Sequence, residues 1–238
     1  MKFLGDYHTH TIYSHGKGDI IDNAREAKKR GLKQIAITDH GFGHLLYGVN
    51  RKKLPEMREK IKQAEAETGV EILLGVEANF CSTKGDVDVT EEDLKNLDIL
   101  LVGHHRFVKS SLADKFKFFI PNMIFKNHPS KKLLERNTAV ILQALDKYPI
   151  NILTHLNYEM RVDIEAVAKK AVEKGTLIEL NERKMMFTQD EIDLMVGLGV
   201  KFVVNSDAHR PERVGDFTNA TAFIQKFNIP KENIVNLS

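Results

Sequence analysis

The chain has 238 residues, 42% of them hydrophobic and 29% charged, which suits one globular domain of barrel size and excludes a fibrous or disordered chain. A formal net charge of +2 is too small to drive nucleic-acid binding by itself, and no stretch approaches the roughly 20 apolar residues of a membrane span. A single cysteine, Cys81, leaves no intramolecular disulfide and fits a reducing compartment. Met1–Asp6 contains no apolar segment long enough for a secretion signal, so a cytoplasmic location is the expectation.

Taken in order, short apolar runs alternate with longer amphipathic ones. Phe3–Tyr7 predicts a first strand that runs into His8-Thr9-His10, with His15 in the loop beyond. Asp19 can cap a helix reaching about Arg30, which Gly31 ends. Gln34–Thr38 predicts a second strand leading to Asp39-His40, and Glu71–Val76 a third leading to Glu77, with Gly69 closing the helix between them. Thr90-Glu91-Glu92-Asp93 opens a short helix before Asp98–Gly103, a fourth strand followed by His104-His105. Residues 106–130 then break the rhythm. They are basic and aromatic, as in Lys115-Phe116-Lys117-Phe118-Phe119, and read as a lid, a packed insertion or a subunit contact. Asn151–Thr154 predicts a fifth strand ending at His155. Gly175 closes the helix before a sixth, Thr176–Leu180, with Arg183 beyond it. Thr188–Glu191 has capping-box spacing, and Lys201–Asn205 predicts a seventh strand running into Asp207-Ala208-His209.

Strands alternating with helices over the whole length predict one α/β domain, residues 1–238, with a parallel sheet. Scattered histidines have no reason to prefer strand ends, whereas ligands at the mouth of a parallel barrel do, because strand ends converge there. His8 and His10 differ by two, so in extended chain both imidazoles can reach one ion. With His15, His40, Glu77, a histidine of the His104-His105 pair, His155, Asp207 and His209 they make nine N and O donors and no thiolate. That set suits Zn, Mn or Fe, and is too large for one ion. Two or three ions sharing Glu77 as a bridging carboxylate would use them all. His44 and His128 read as loop histidines, Cys81 as a packed small residue, and His104 as either supporting or exposed.

His8-Thr9-His10, Thr38-Asp39-His40-Gly41, Gly75-Val76-Glu77-Ala78-Asn79, Thr154-His155 and Ser206-Asp207-Ala208-His209 resemble the successive motifs of the PHP (polymerase and histidinol phosphatase) superfamily, most closely its small stand-alone phosphatases. The resemblance spans nearly the whole chain. It implies a distorted, TIM-like (β/α)7 barrel with a trinuclear metal site. Carried over position by position, His8, His10, Glu77 and Asp207 resemble the first ion's ligands. Glu77 would bridge to a second ion completed by His105 and His155, and His15, His40 and His209 would hold a third. The family pattern selects His105 over His104. Arg183 resembles an arginine that binds phosphate in the family's histidinol phosphatases, while Arg106, Arg161 and Arg210 are further phosphate candidates beside ligand positions.

The implied activity is metal-assisted hydrolysis of a phosphate monoester. Two close cations lower the pKa of a shared water, and hydroxide attacks phosphorus in line while an ion and arginines hold the other oxygens. Glu77, Asp207, His209 and Arg183 are the residues expected at the reaction centre, and the partner is a small phosphorylated molecule. Histidinol phosphate is the first named alternative. A metal-dependent 3'-5' exonuclease keeps the ions but needs nucleic acid, which the charge does not favour. An amidohydrolase would place a lysine after the fourth strand where this chain has histidines. A non-catalytic metal-binding module would tolerate degraded donor positions, and none is degraded here.

Overall fold

A computed structural model describes residues 1–238. Seven strands lie parallel in sequential order: β1 (Gly5–Thr9), β2 (Gln34–Ile37), β3 (Glu71–Asn79), β4 (Ile99–Gly103), β5 (Ile152–Leu153), β6 (Leu177–Asn181) and β7 (Phe202–Asn205). The chain is a distorted (β/α)7 barrel. Its strands are buried almost end to end, as parallel strands covered on both faces must be.

The barrel is nearly closed where β1 meets β7. Thr9 and Ala208 form a parallel bridge, and the His10 amide donates to the Ala208 carbonyl at 2.8 Å. Lower down a side chain replaces the ladder. Asn236 donates to the carbonyls of Gly5 (2.8 Å) and Val204 (2.7 Å) and accepts from the Val204 amide at 3.0 Å. Backbone groups at the seam are thereby satisfied without a seventh strand pairing.

The first strand begins two residues later than its apolar run suggests, because it includes His8 and Thr9. Its register with β2 is irregular between Asp6 and Thr9. A bulge there lets adjacent residues turn to one side: Tyr7 packs with Ala36, Leu101, Ile152 and Val203, while His8 reaches Glu77 and Glu179.

Helices sheath the sheet. Asp19 caps α1 (Ile20–Lys29) in a reciprocal box with Asp22. Gly69 and Gly175 end α2 (Leu54–Thr68) and α7 (Ile164–Lys174) at φ of +72° and +69°, where a side chain would be strained. Thr90 and Thr188 box the starts of α3 (Glu91–Leu94) and α8 (Gln189–Gly197). Two elements carry no signal used above: α6 (Lys131–Lys147), capped by Ser130, and α9 (Thr218–Lys226).

The 106–130 stretch is mostly helical. Ser111 caps α4 (Leu112–Asp114), a wider π turn follows at Lys115–Phe119, and α5 (Ile120–Phe125) completes it. Phe118 and Phe119 are buried against His104, with ring centroids 5.2 and 5.6 Å away. The amides of Asn122 and Asn137 exchange hydrogen bonds at 2.8 and 2.7 Å, tying α5 to α6. Its outer face leaves Leu112, Phe116, Met123, Ile124 and Phe125 exposed.

Candidate metal centre

Glu77 is the hub of the barrel mouth. Its Oε2 lies 3.3 Å from His8 Nε2, 3.7 Å from His10 Nε2, 3.1 Å from His40 Nδ1 and 3.4 Å from His105 Nε2. Its Oε1 lies 2.7 Å from His155 Nε2. Asp207 Oδ1 stands 3.7 Å from His8 Nε2, 3.4 Å from His10 Nε2 and 3.5 Å from His209 Nδ1. Strands β1 and β3 and the turns after β1, β2, β4, β5 and β7 thus deliver donors to one place.

Apart from the His155–Glu77 Oε1 and His209 Nδ1 hydrogen bonds, these atoms are close without bonding. His8 Nε2, both ring nitrogens of His10, His40 Nδ1, Glu77 Oε2, His105 Nε2 and Asp207 Oδ1 are buried with no hydrogen-bond partner. Such orphaned groups are costly unless something else satisfies them. Zinc bonds of about 2.0–2.1 Å in a tetrahedron hold neighbouring ligand atoms roughly 3.4 Å apart. The spacing here brackets that value, so the donors fit divalent ions placed between them.

Three overlapping triads have ligand atoms mutually within 4.8 Å: His8, His10 and Asp207; His40, Glu77 and His105; His10, His40 and His209. The first holds three of the four residues that the resemblance assigns to one ion, while the fourth, Glu77, falls in the second triad. His40 instead sits with both Glu77–His105 and His10–His209, rather than only in a separate group with His15 and His209. His15 enters no triad and is exposed, its ring stacked on His40 at 4.8 Å.

Neighbouring groups fix the imidazole tautomers. His8 Nδ1 donates to Glu179 Oε1 at 2.7 Å, leaving the Nε2 lone pair for an ion. Asn79 gives its amide N–H to Asp88, so its Oδ1 accepts from His105 Nδ1 at 2.7 Å and His105 Nε2 is the free base. His209 Nδ1 faces the Asp207 carbonyl at 2.9 Å, an acceptor only, so it too carries its proton there. Asp39 holds the loop after β1 through the Thr11 amide (2.7 Å), Thr11 Oγ1 (2.6 Å) and Ser14 Oγ (2.5 Å).

Electrostatics keep the acids charged. Burial opposes ionisation of Glu77, yet His105 and His8 hold its carboxyl well below the usual range. Asp207 is also held well below, burial being outweighed by Lys184, His8 and His10. Burial pushes His8 down, but Glu77, Glu179 and Asp207 raise it well above an ordinary histidine, so an ion bound at Nε2 must displace a proton from that atom. His10 is pushed well below by burial and by His40, leaving it neutral.

Backbone geometry serves the same end. His155 and Asp207 adopt φ of +31° and +51°, uncommon for residues with a Cβ and strained by about 1–3 kcal/mol each. Gly103 must lack a side chain, since a Cβ there would collide with Thr154 Oγ1 and His155 Cε1 and crowd Glu77 Oε1.

Several supporting residues escaped the sequence. Glu179, in the sixth strand, where the sequence offered only Arg183 beyond its end, is fully buried; besides His8 it accepts from the His155 amide (2.8 Å), Asn181 (2.9 Å) and Asn205 (3.0 Å). An acid inside the apolar run Thr176–Leu180 was the available signal. Lys184 Nζ pairs with Asp207 Oδ2 at 2.7 Å, while its neighbour Arg183 is exposed and in no ion pair. Arg106 pairs with Glu159, Arg161 donates to the Met186 carbonyl, and Arg210 is exposed beside Asp22 and Glu26. His44 is buried, its ring 5.0 Å from His40 and its Nδ1 accepting from the Tyr47 amide at 3.1 Å, so it is no free loop histidine. His104 is buried against Phe119, which excludes the exposed reading. His128 is exposed, and Cys81 is half-buried.

Comparison with known proteins places the chain in a family. A family model described as the PHP domain matches residues 6–183. A chain named a probable phosphatase from Caldanaerobacter subterraneus subsp. tengcongensis is 35% identical over 253 aligned positions, covering 100% of this chain and 89% of that one. Another so named, from Shewanella halifaxensis, is 32% identical and covers 100% and 90%. Among solved structures, the histidinol phosphate phosphatase of Lactococcus lactis, complexed with zinc, L-histidinol and phosphate, superposes with a TM-score of 0.66 at 18% identity, covering 96% of this chain and 95% of that one. At that identity the likeness is one of fold. With the family model spanning most of the barrel and relatives above 30% identity along its full length, this chain belongs to the PHP domain family.

Proposed function

We propose that the protein is a metal-dependent phosphoesterase that releases inorganic phosphate from a small-molecule phosphate monoester. The observation that carries this reading is the set of buried donor atoms around Glu77 and Asp207 that face one another and bond to nothing. Relatives named probable phosphatases support the reaction class.

His8, His10, His40, Glu77, His105, His155, Asp207 and His209 would hold the ions, with His15 at the rim. Zinc, manganese and iron all accept such donors. When bound, two or three divalent cations lower the pKa of water and neutralise charge on the phosphoryl oxygens. The chain's own residues do the rest. Glu77 offers one oxygen to four imidazoles and the other to His155, which suits it to join two ions. Asp207 and His209 are candidates to protonate a leaving oxygen, but their lone pairs would be committed to ions, which disfavours either as proton donor. Arg183, exposed and unpaired, is the arginine free to meet phosphate. Arg106 would first have to leave Glu159. The 106–130 segment, packed on His104 through Phe118 and Phe119, forms one wall of the mouth.

Elemental analysis of the purified protein with a phosphate-release panel tests this reading. Histidinol phosphate, sugar phosphates, nucleotides and short DNA separate the small-molecule phosphatase, the histidinol phosphatase and the exonuclease. Release of phosphate that stops on chelation and returns with added metal is the expected result. Hydrolysis of amides or lactones alone would transfer the site to amidohydrolase chemistry.

A further inference from the structure

We propose that Lys184 bridges Asp207 and the substrate's phosphate, so that an ammonium from the sixth strand end binds a non-bridging phosphoryl oxygen. This rests on the phosphatase reading above and adds a residue to it.

A turn after β6 places Lys184. The Arg183 amide donates to Asn181 Oδ1 at 2.9 Å, and the Lys184 amide to the Asn181 carbonyl at 3.4 Å. The same asparagine donates to Asp207 Oδ2 at 3.2 Å and to Glu179 Oε2 at 2.9 Å. A buried amide therefore locks the turn to the cluster floor, and Lys184 is carried over the mouth while Arg183 points to solvent.

Lys184 Nζ meets Asp207 Oδ2 at 2.7 Å in an ion pair, and that is its one carboxylate contact. An ammonium has three N–H donors, so two remain to be used. Oδ2 is satisfied by Lys184 and Asn181, whereas Oδ1 on the same carboxylate is buried and unpartnered among His8, His10 and His209. The carboxylate is thus divided: one oxygen for the donor cluster, the other for the lysine. Any anion bound beside Oδ1 lies within reach of that ammonium.

The side chain is 24% exposed, enough for a ligand to touch it but not for it to wander. Its other neighbour is the Tyr158 ring, 6.0 Å from Nζ, which also has Lys126 Nζ 5.3 Å away. Lys126 ends α5 and Tyr158 follows β5, so three separate segments line this side of the mouth with positive charge on an aromatic wall. Arg106 and Arg161 are engaged elsewhere, and Arg183, though free to meet a phosphate from the solvent side, makes no contact with the cluster. Lys184 is the cation that touches the cluster.

The test uses metal-loaded full-length protein and compares wild type with Lys184→Met and Lys184→Arg. The probes are p-nitrophenyl phosphate turnover, inorganic phosphate binding by calorimetry and metal content. Lys184→Met should lose about 100-fold in kcat/KM and bind phosphate about 10-fold more weakly with unchanged metal content. Lys184→Arg, which keeps the charge, should recover part of both. Unchanged phosphate affinity in a folded, fully metallated Lys184→Met variant would overturn the proposal. So would metal loss in proportion to lost activity, because Lys184 would then act only on Asp207. A metallated wild type that binds phosphate but hydrolyses no ester in the panel would sink the phosphatase reading and leave the phosphate-binding comparison to decide on Lys184.

Discussion

Glu179 Oε1 stands 2.7 Å from His8 Nδ1, and through that contact the sixth strand orients a histidine of the first. The carboxylate is acceptor-only when ionised, so His8 must keep its proton on Nδ1 and present Nε2 to the cluster. Glu179→Gln should preserve shape but remove that compulsion and weaken metal binding by about 10- to 100-fold. Competition with a chelator measures this; an unchanged affinity would show that His8 is oriented by something else.

Gly103 is where the fold leaves room for the site. Gly103→Ala would press a methyl group against Thr154, His155 and Glu77. We expect a stability loss of roughly 1–3 kcal/mol together with reduced metal content. Gly197→Ala, at the end of α8 with nothing near its added Cβ, is the control. It should be neutral or stabilise by up to about 1 kcal/mol. Urea denaturation and elemental analysis of the two variants distinguish a local clash from a general glycine effect.

Much of this was legible in the chain. Each of the seven strands lies within two or three residues of its apolar run, because parallel strands buried on both faces must be nearly continuous in Ile, Leu and Val. The motif residues His8, His10, His40, Glu77, His105, His155, Asp207 and His209 converge as strand-end placement implied. What stayed hidden depends on through-space partners. Glu179 looks like a strand residue until β6 is set beside β1, and Lys184 looks no different from Arg183 until the Asn181 turn separates their directions. The bulge in β1 shifts its limits without any glycine to announce it. The helical excursion at Leu112–Phe125 has its cap in Ser111, a signal that the surrounding lysines and phenylalanines obscured.

Cys81 should be unreactive in the folded protein. Burial, then Asp88, Asp86 and Asp114, push its thiol far above the ordinary range. The thiolate is the nucleophile, so little of it exists at mildly alkaline pH. A disulfide reagent should label one cysteine in denaturant and essentially none in native protein. Rapid native labelling would contradict the burial of Cys81.

Acid stability should depend on Asp98, which immediately precedes β4. It accepts from the Leu74 amide at 2.8 Å and pairs with Arg58. Burial raises its pKa, but the Arg58 and Leu74 bonds outweigh it, and the folded value lies below the ordinary 3.8. A depressed carboxyl contributes stability that is fully present above its unfolded pKa and is lost as pH falls through its folded one. The difference in urea midpoint between wild type and Asp98→Asn should therefore be constant from neutral pH to the ordinary carboxylate value and shrink below it. A difference that did not change with acid would refute the assignment.

Metal binding should fail on acidification as well, since the imidazoles must be unprotonated to ligate and protons compete with each ion. Metal content after dialysis across mildly acidic buffers should fall cooperatively, with release of phosphate falling alongside it. Activity that outlasted complete metal loss would be incompatible with the proposed chemistry.

The most direct measurement is anomalous X-ray diffraction from crystals of the metal-loaded protein, collected on both sides of the zinc, iron and manganese edges. The account predicts two or more ions within about 2.0–2.3 Å of the imidazole and carboxylate atoms grouped around Glu77 and Asp207. One ion alone, or ions elsewhere with His40, His105 and His155 turned away, would contradict it.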